Sequence, residues 1–116
     1  MTWPTRRGNK YGAVKQTYQG FSYDSKAEAL YAMELTQRQK NKEIKRWERQ
    51  KTLALKVYGK TVCTYRMDFV IFHNDKSIEY VEIKGFSSAT WRLKYKLYEA
   101  IYEKEHPKIK RTVIYV

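Results

Sequence analysis

Four residues, His73-Asn74-Asp75-Lys76, separate two runs rich in Val, Ile, Thr, Tyr and Phe, Thr61 to Phe72 and Ser77 to Lys84. So short a connection makes an antiparallel hairpin, because a parallel crossover needs a dozen residues or more. Counting outward from a loop at 74–76 sets Asp68 directly across from Glu82. Strand side chains alternate, so Glu82 and Lys84 project from the same face as Asp68, beside Val70, Phe72, Ile78 and Tyr80. A shift of one residue in register would undo this alignment.

The rest of the chain supplies elements around that hairpin. Ser25-Lys26-Ala27-Glu28 reads as a capping box, followed without a breaker by helix formers to about Lys40. Ile44 to Val57 reads as a strand region, and Tyr58-Gly59-Lys60 as a turn into the Thr61 strand. Gly85 ends the Ser77–Lys84 strand, Thr90 to about Glu105 forms a second helix that Pro107 breaks, and Thr112 to Val116 is a last strand. Along the second helix Trp91, Tyr95, Tyr98 and Tyr102 make an apolar stripe, widened by Leu93, Leu97, Ala100 and Ile101. Lys94 falls inside that apolar sector, so it either snorkels to water or points into a polar pocket. The order helix, three strands, helix, strand is that of an α+β or mixed α/β fold.

Residues 1–20 carry Arg6, Arg7, Lys10 and Lys15 among Gly8, Gly12 and Gly20, the composition of an extended basic arm that lies on phosphates. Residues 21–116 are then the folded domain. With 116 residues, 42% hydrophobic and 16% aromatic, the chain can build one modest core, which excludes disorder. No stretch approaches the length of a membrane span, and the start has no apolar signal segment, so a cytoplasmic protein is expected. Cys63 is the only cysteine, which excludes a disulfide framework or a cysteine-based metal cluster within one chain, and His73 and His106 make a poor zinc pair. Lys and Arg number 24 against 12 Asp and Glu, a net charge of +12. Such a field attracts polyanions, nucleic acid foremost; the bland alternative is a solubility-tuned surface.

Two carboxylates meeting on one sheet face repel unless a proton or a cation sits between them. Mg²⁺ suits the site, being commonly held by one or two carboxylates, several waters and substrate phosphates. With Lys84 to orient or deprotonate a nucleophile, the set suits phosphodiester hydrolysis. The alternative makes Asp68 and Glu82 ordinary strand carboxylates paired with Arg66 and Lys84. Glu28 is equally two-sided: it caps its helix, or it shares the face of Tyr31, Ala32 and Leu35 and is carried onto the sheet beside the two acids.

These residues resemble a known pattern. Glu28 on a first helix, then Asp68, then Glu82-Ile83-Lys84, is similar to the PD-(D/E)XK nuclease signature. The words around them, Gly8-Asn9-Lys10-Tyr11-Gly12-Ala13, Phe21-Ser22-Tyr23-Asp24-Ser25-Lys26-Ala27-Glu28-Ala29, Met67-Asp68-Phe69-Val70 and Val81-Glu82-Ile83-Lys84-Gly85, resemble a small phage and prophage endonuclease family akin to Holliday junction resolvases. The resemblance also covers Gln50 and the Leu93–Ala100 stretch. It implies a restriction-endonuclease-like α-β-β-β-α-β core with a central mixed sheet flanked by helices, and Mg²⁺- or Mn²⁺-dependent DNA cleavage. Asp68 and Glu82 would bind metal with the Ile83 carbonyl, Lys84 would position water, Glu28 would act through water or a second ion, and Lys94 would line the pocket. Met67 stands where the signature name has Pro, and the short stretch from Gln50 to Asp68 implies a trimmed first hairpin. The expected function is resolution of branched DNA by a homodimer; the alternatives are a phage nickase, a restriction-like endonuclease or a non-catalytic DNA-binding protein.

Overall fold

A computed structural model describes residues 16–18, 21–23 and 26–116, with side chains from residue 26 onward. Strands β1 (Gln16–Tyr18) and β2 (Phe21–Tyr23) pair antiparallel, Gln16 opposite Tyr23. Residues 16–18 are thus not part of an arm: Thr and Tyr favour extended pairing, and Gly20 falls between two short strands. Residues 1–15, with Arg6, Arg7, Lys10 and Lys15, and the capping residue Ser25 lie outside the described residues.

Helix α1 (Lys26–Lys40) is built from strong helix formers and buries Glu28, Ala29, Ala32 and Leu35 on one face. It ends where Lys42 turns left-handed (φ 63°) and the amides of Lys42 and Glu43 return to the carbonyls of Gln39 and Arg38. Strand β3 (Arg46–Val57) and strand β4 (Lys60–Phe72) form a long hairpin, and strand β5 (Ile78–Lys84) follows. The first hairpin is therefore not trimmed. It closes in two residues, Tyr58 (φ 50°) and Gly59 (φ 78°), the pair of positive φ angles that a primed turn requires. At the second turn His73 donates to the Ser77 carbonyl, Lys76 is left-handed at φ 75°, and the Asp75 carboxylate accepts from Ser77. This is the loop at 74–76, and the ladder runs Phe69 opposite Val81 to Phe72 opposite Ile78, the register that sets Asp68 across from Glu82.

Helix α2 (Ala89–Leu97) is capped by Ser88 and continues through a π-helical turn, Tyr98–Tyr102, into a last helical turn, Glu103–Glu105. The Glu103 amide reaches the Tyr98 carbonyl, and the extra residue lets Tyr98 and Tyr102 stack at 5.3 Å. Strand β6 (Lys110–Tyr115) closes the sheet parallel to β5, giving the order β3-β4-β5-β6. The result is a mixed α+β fold with a four-stranded mixed sheet between two helical layers. Among the described residues no helix is long and apolar enough to cross a membrane.

The sheet carries one core on each face. Under α1, Ala29, Ala32 and Leu35 pack on Phe69, Ile71 and Val81, with Ile44 and the half-buried Trp47. Under α2, Trp91 and Tyr98 pack on Leu53, Leu55, Tyr65, Met67, Val70 and Tyr80. The buried Arg111 guanidinium lies 3.8 Å from the Tyr95 ring centroid and 4.5 Å from that of Tyr98. Among the described residues the buried Tyr98 hydroxyl has no hydrogen-bond partner, and burial pushes its pKa up to about 12. Removing an unsatisfied buried group relieves its desolvation cost. Tyr98→Phe is therefore expected to hold or raise stability by up to about 1 kcal/mol in urea unfolding; a comparable loss would contradict this.

Candidate active site

The pairing of β3 with β4 is continuous from Arg46 to Leu55 except at one position, Gln50 opposite Asp68, where Gln50 is left-handed at φ 54°. On one side of this gap Trp47, Phe69 and Ile71 face α1; on the other Leu53, Leu55, Tyr65 and Met67 face α2. These residues share one parity in each strand, so the ribbon turns over at Gln50. At the same place β4 parts from β5, whose ladder with it ends at Phe69 and Val81. The fork opens into a pocket of about 420 Å³, walled by Tyr65, Arg66 and Asp68 of β4, Glu82, Ile83 and Lys84 of β5, Trp91 and Lys94 of α2, its capping end Ser88 and Thr90, and Glu28 of α1.

Three carboxylates are buried there: Glu28 at 8%, Asp68 at 6% and Glu82 at 5% exposure. Beyond the end of the ladder, Asp68 Oδ2 substitutes for a backbone partner and accepts from the Ile83 amide at 2.8 Å. Its Oδ1 faces Arg66 at 3.7 Å, beyond hydrogen-bond distance. Glu82 is held at both oxygens by uncharged donors, Tyr65 Oη to Oε2 at 2.6 Å and Trp91 Nε1 to Oε1 at 2.6 Å. Lys84 Nζ stands 4.0 Å from Glu82 Oε1 and 5.0 Å from the Trp91 ring centroid. Burial raises the Asp68 carboxyl above its ordinary range; the Ile83 amide and Arg66 oppose this, and Glu82 adds to it. Burial, and then the bond to Glu82, push the Tyr65 phenol upward.

The donor set is all oxygen, which suits a hard cation. A carboxylate offers about four lone-pair sites, and the bond from the Ile83 amide occupies one of them on Asp68, a residue that lines the pocket. In an extended strand the amide and carbonyl of one residue point to the same side, so the Ile83 carbonyl, like its amide, is turned toward β4. Among the described residues no three His, Cys, Asp or Glu form a group that could cage a metal ion. Glu28 lies on the pocket wall.

Asp68, Glu82, Ile83, Lys84, Glu28 and Lys94 all line one pocket, and of Lys94's two alternatives the structure selects the polar pocket. Gln50 does not line it: its side chain is exposed, and its left-handed backbone makes the turnover. Arg66 approaches Asp68, and Lys84 approaches Glu82, without hydrogen-bonding geometry. Strand alternation did not single out Tyr65 or Trp91 as partners of Glu82. Tyr65 has the wrong parity in an untwisted strand, and Trp91 reads as one more member of an apolar stripe.

Fold and pocket define a mixed α+β protein with buried acids and flanking cations at a strand fork. The chain matches the family described as "Protein of unknown function (DUF1064)" over residues 8–115 and belongs to it. No curated protein and no solved structure matches it.

An acid whose pKa is raised by folding favours the folded state at acidic pH, and that contribution is lost as pH rises through the folded pKa. In EDTA, Asp68→Asn, which keeps an acceptor for the Ile83 amide, is expected to melt above the wild type at pH 7, with the advantage shrinking toward pH 4. Thermal melts at the two pH values check this; a lower melting temperature at pH 7 refutes it.

Proposed function

We propose that this chain is a metal-dependent DNA endonuclease with a PD-(D/E)XK core, selective for branched DNA such as four-way junctions and acting as a homodimer in phage DNA metabolism. The observation that carries the reading is the buried pair Asp68 and Glu82 on neighbouring strands, with Lys84 4.0 Å from Glu82 and the Ile83 backbone against Asp68. An ordinary carboxylate has no reason to leave water; three that do so around one open pocket, two on strands and one on α1, suit an acidic site meant to hold a cation. The net charge of +12 supplies the attraction for a polyanion. A two-fold protein is the simplest match to a two-fold junction.

In this reading Asp68, Glu82 and the Ile83 carbonyl would hold Mg²⁺ or Mn²⁺, and Glu28 would act through water from the pocket wall. The bound ion supplies Lewis acidity toward a phosphate oxygen and lowers the pKa of a coordinated water. Tyr65 and Trp91 fix the Glu82 carboxylate by a bond to each oxygen, so its geometry is set before substrate arrives. Lys84, over the Trp91 ring, is placed to orient the attacking water and to compensate charge on the attacked phosphate. Lys94, Arg66 and the N-terminal end of α2 add positive potential along the pocket wall. The occupied oxygens of Glu82 favour a second reading, in which the carboxylates only brace the fork of a DNA-binding protein.

A labelled immobile four-way junction and a matched linear duplex, each in Mg²⁺ or EDTA, separate the two. The expected result is paired, Mg²⁺-dependent cuts on the junction, with Glu82→Ala losing at least about a hundred-fold in rate while still binding DNA. Equal cutting of both DNAs would point to a general nuclease. Tight binding with no cleavage in Mg²⁺ or Mn²⁺ would establish the bracing role instead.

A further inference from the structure

The β3–β4 ribbon extends past the body of the sheet. From Asp68 back to Lys60, β4 has β3 as its ladder partner and has left β5. Leu53, Leu55, Tyr65 and Met67 anchor this part on α2, but every residue from 56 to 62 is exposed. At its end Tyr58 is 104% exposed, flanked by Val57 at 41% and Val62 at 54%. A Cβ added to Gly59 would meet nothing within 4 Å, so the tip stands in open solvent.

Two features set this tip apart from an ordinary turn. Tyr58 occupies a left-handed position (φ 50°) that primed turns give to Asn, Asp or Gly; a bulky residue there is strained, and nothing in the fold is gained by its exposed ring. The charge is also one-sided. Between Glu48 and Asp68 the chain carries Arg49, Lys51, Lys56, Lys60 and Arg66 and no carboxylate. Strain that presents an aromatic ring between lysines suits a partner with both phosphates and flat apolar faces.

We propose that the tip is a wedge for DNA: Tyr58 stacks on an unpaired base of a branched molecule while Lys56 and Lys60 meet the flanking phosphates. This rests on the reading of branched DNA as substrate and adds a contact distant from the pocket. Asp68 lies eight positions after Lys60, which at about 3.3 Å per step sets an upper reach of about 26 Å along the strand. One junction can therefore touch both, some seven or eight base steps apart at about 3.4 Å per step.

The test is binding in EDTA, by fluorescence anisotropy, of a labelled immobile four-way junction and a linear duplex to wild type, Tyr58→Asn and Tyr58→Phe, with thermal melts of each protein. Tyr58→Asn is expected to lose about ten-fold in junction affinity and less than about two-fold on the duplex, to melt no lower than wild type, and Tyr58→Phe to bind as wild type does. Lys56→Ala with Lys60→Ala should lower affinity for the junction and reduce the salt slope by about two. Unchanged junction affinity in Tyr58→Asn, an equal loss on both DNAs, or conversion of a dimer to a monomer by that substitution overturns the wedge; the last would make the tip a contact between copies. If wild type cuts junctions and Tyr58→Asn binds them equally well, the wedge falls and the endonuclease stands. If wild type binds no DNA, both fall.

Discussion

Gln50 takes a left-handed backbone opposite Asp68, and the ladder between the two strands is interrupted there. A strand that kept its alternation would send Leu53, Leu55, Tyr65 and Met67 to the side of Trp47, Phe69 and Ile71, overfilling the α1 face and leaving α2 little to cover. Because the ribbon turns over, each helix receives its own core. The same turnover brings the Tyr65 hydroxyl to Glu82 and leaves the Asp68 side chain at the parting of β4 from β5, where it takes the Ile83 amide. Core partition and pocket are two results of one backbone irregularity.

The pocket is costly to the fold. Burying a carboxylate without full compensation opposes folding, and among the described residues the Lys84 ammonium stands 4.0 Å from Glu82 and the Arg66 guanidinium 3.7 Å from Asp68. Uncharged donors, Tyr65 and Trp91, hold both oxygens of Glu82 in place. Contrast Glu79, at the other end of β5: burial opposes its ionisation, but bonds from Thr112 and His73 bring its pKa below the usual range. Glu79 is stabilised as a structural anion, while burial raises the Asp68 carboxyl in the fork above its ordinary range.

Much of this was legible in the sequence because it is governed by local chemistry. The loop at 74–76 follows from Asn74-Asp75-Lys76 between two β-rich runs and fixes the Asp68–Glu82 register without tertiary information. Helix α1 and the second helical stretch, read from Thr90 to about Glu105, follow from unbroken helix formers and from Pro107. Glu28 remained ambiguous because one spacing serves a helix cap and a buried face, and only packing of α1 on the sheet brings its side chain to the pocket. The first hairpin was legible in its two strand runs and the turn at Tyr58-Gly59-Lys60, and only the resemblance implied a trimmed one. Tyr65 was not legible, because its placement depends on a non-glycine residue, Gln50, adopting positive φ in mid-strand, which propensity disfavours. The π-helical turn is hidden for a similar reason: Tyr98 and Tyr102 already sit four apart on an apolar stripe, and only the Glu103 amide reaching back to the Tyr98 carbonyl shows the added residue.

The pocket belongs to neither layer alone. Glu28 arrives with α1, early in the chain, and Trp91 and Lys94 arrive with α2, near its end. Without α2 the sheet acids and Glu28 would lack the indole that fixes Glu82 and the pocket wall that carries Lys94. The pocket is therefore complete only when both helices are packed on the sheet, so a change that loosens either layer disturbs the same cluster.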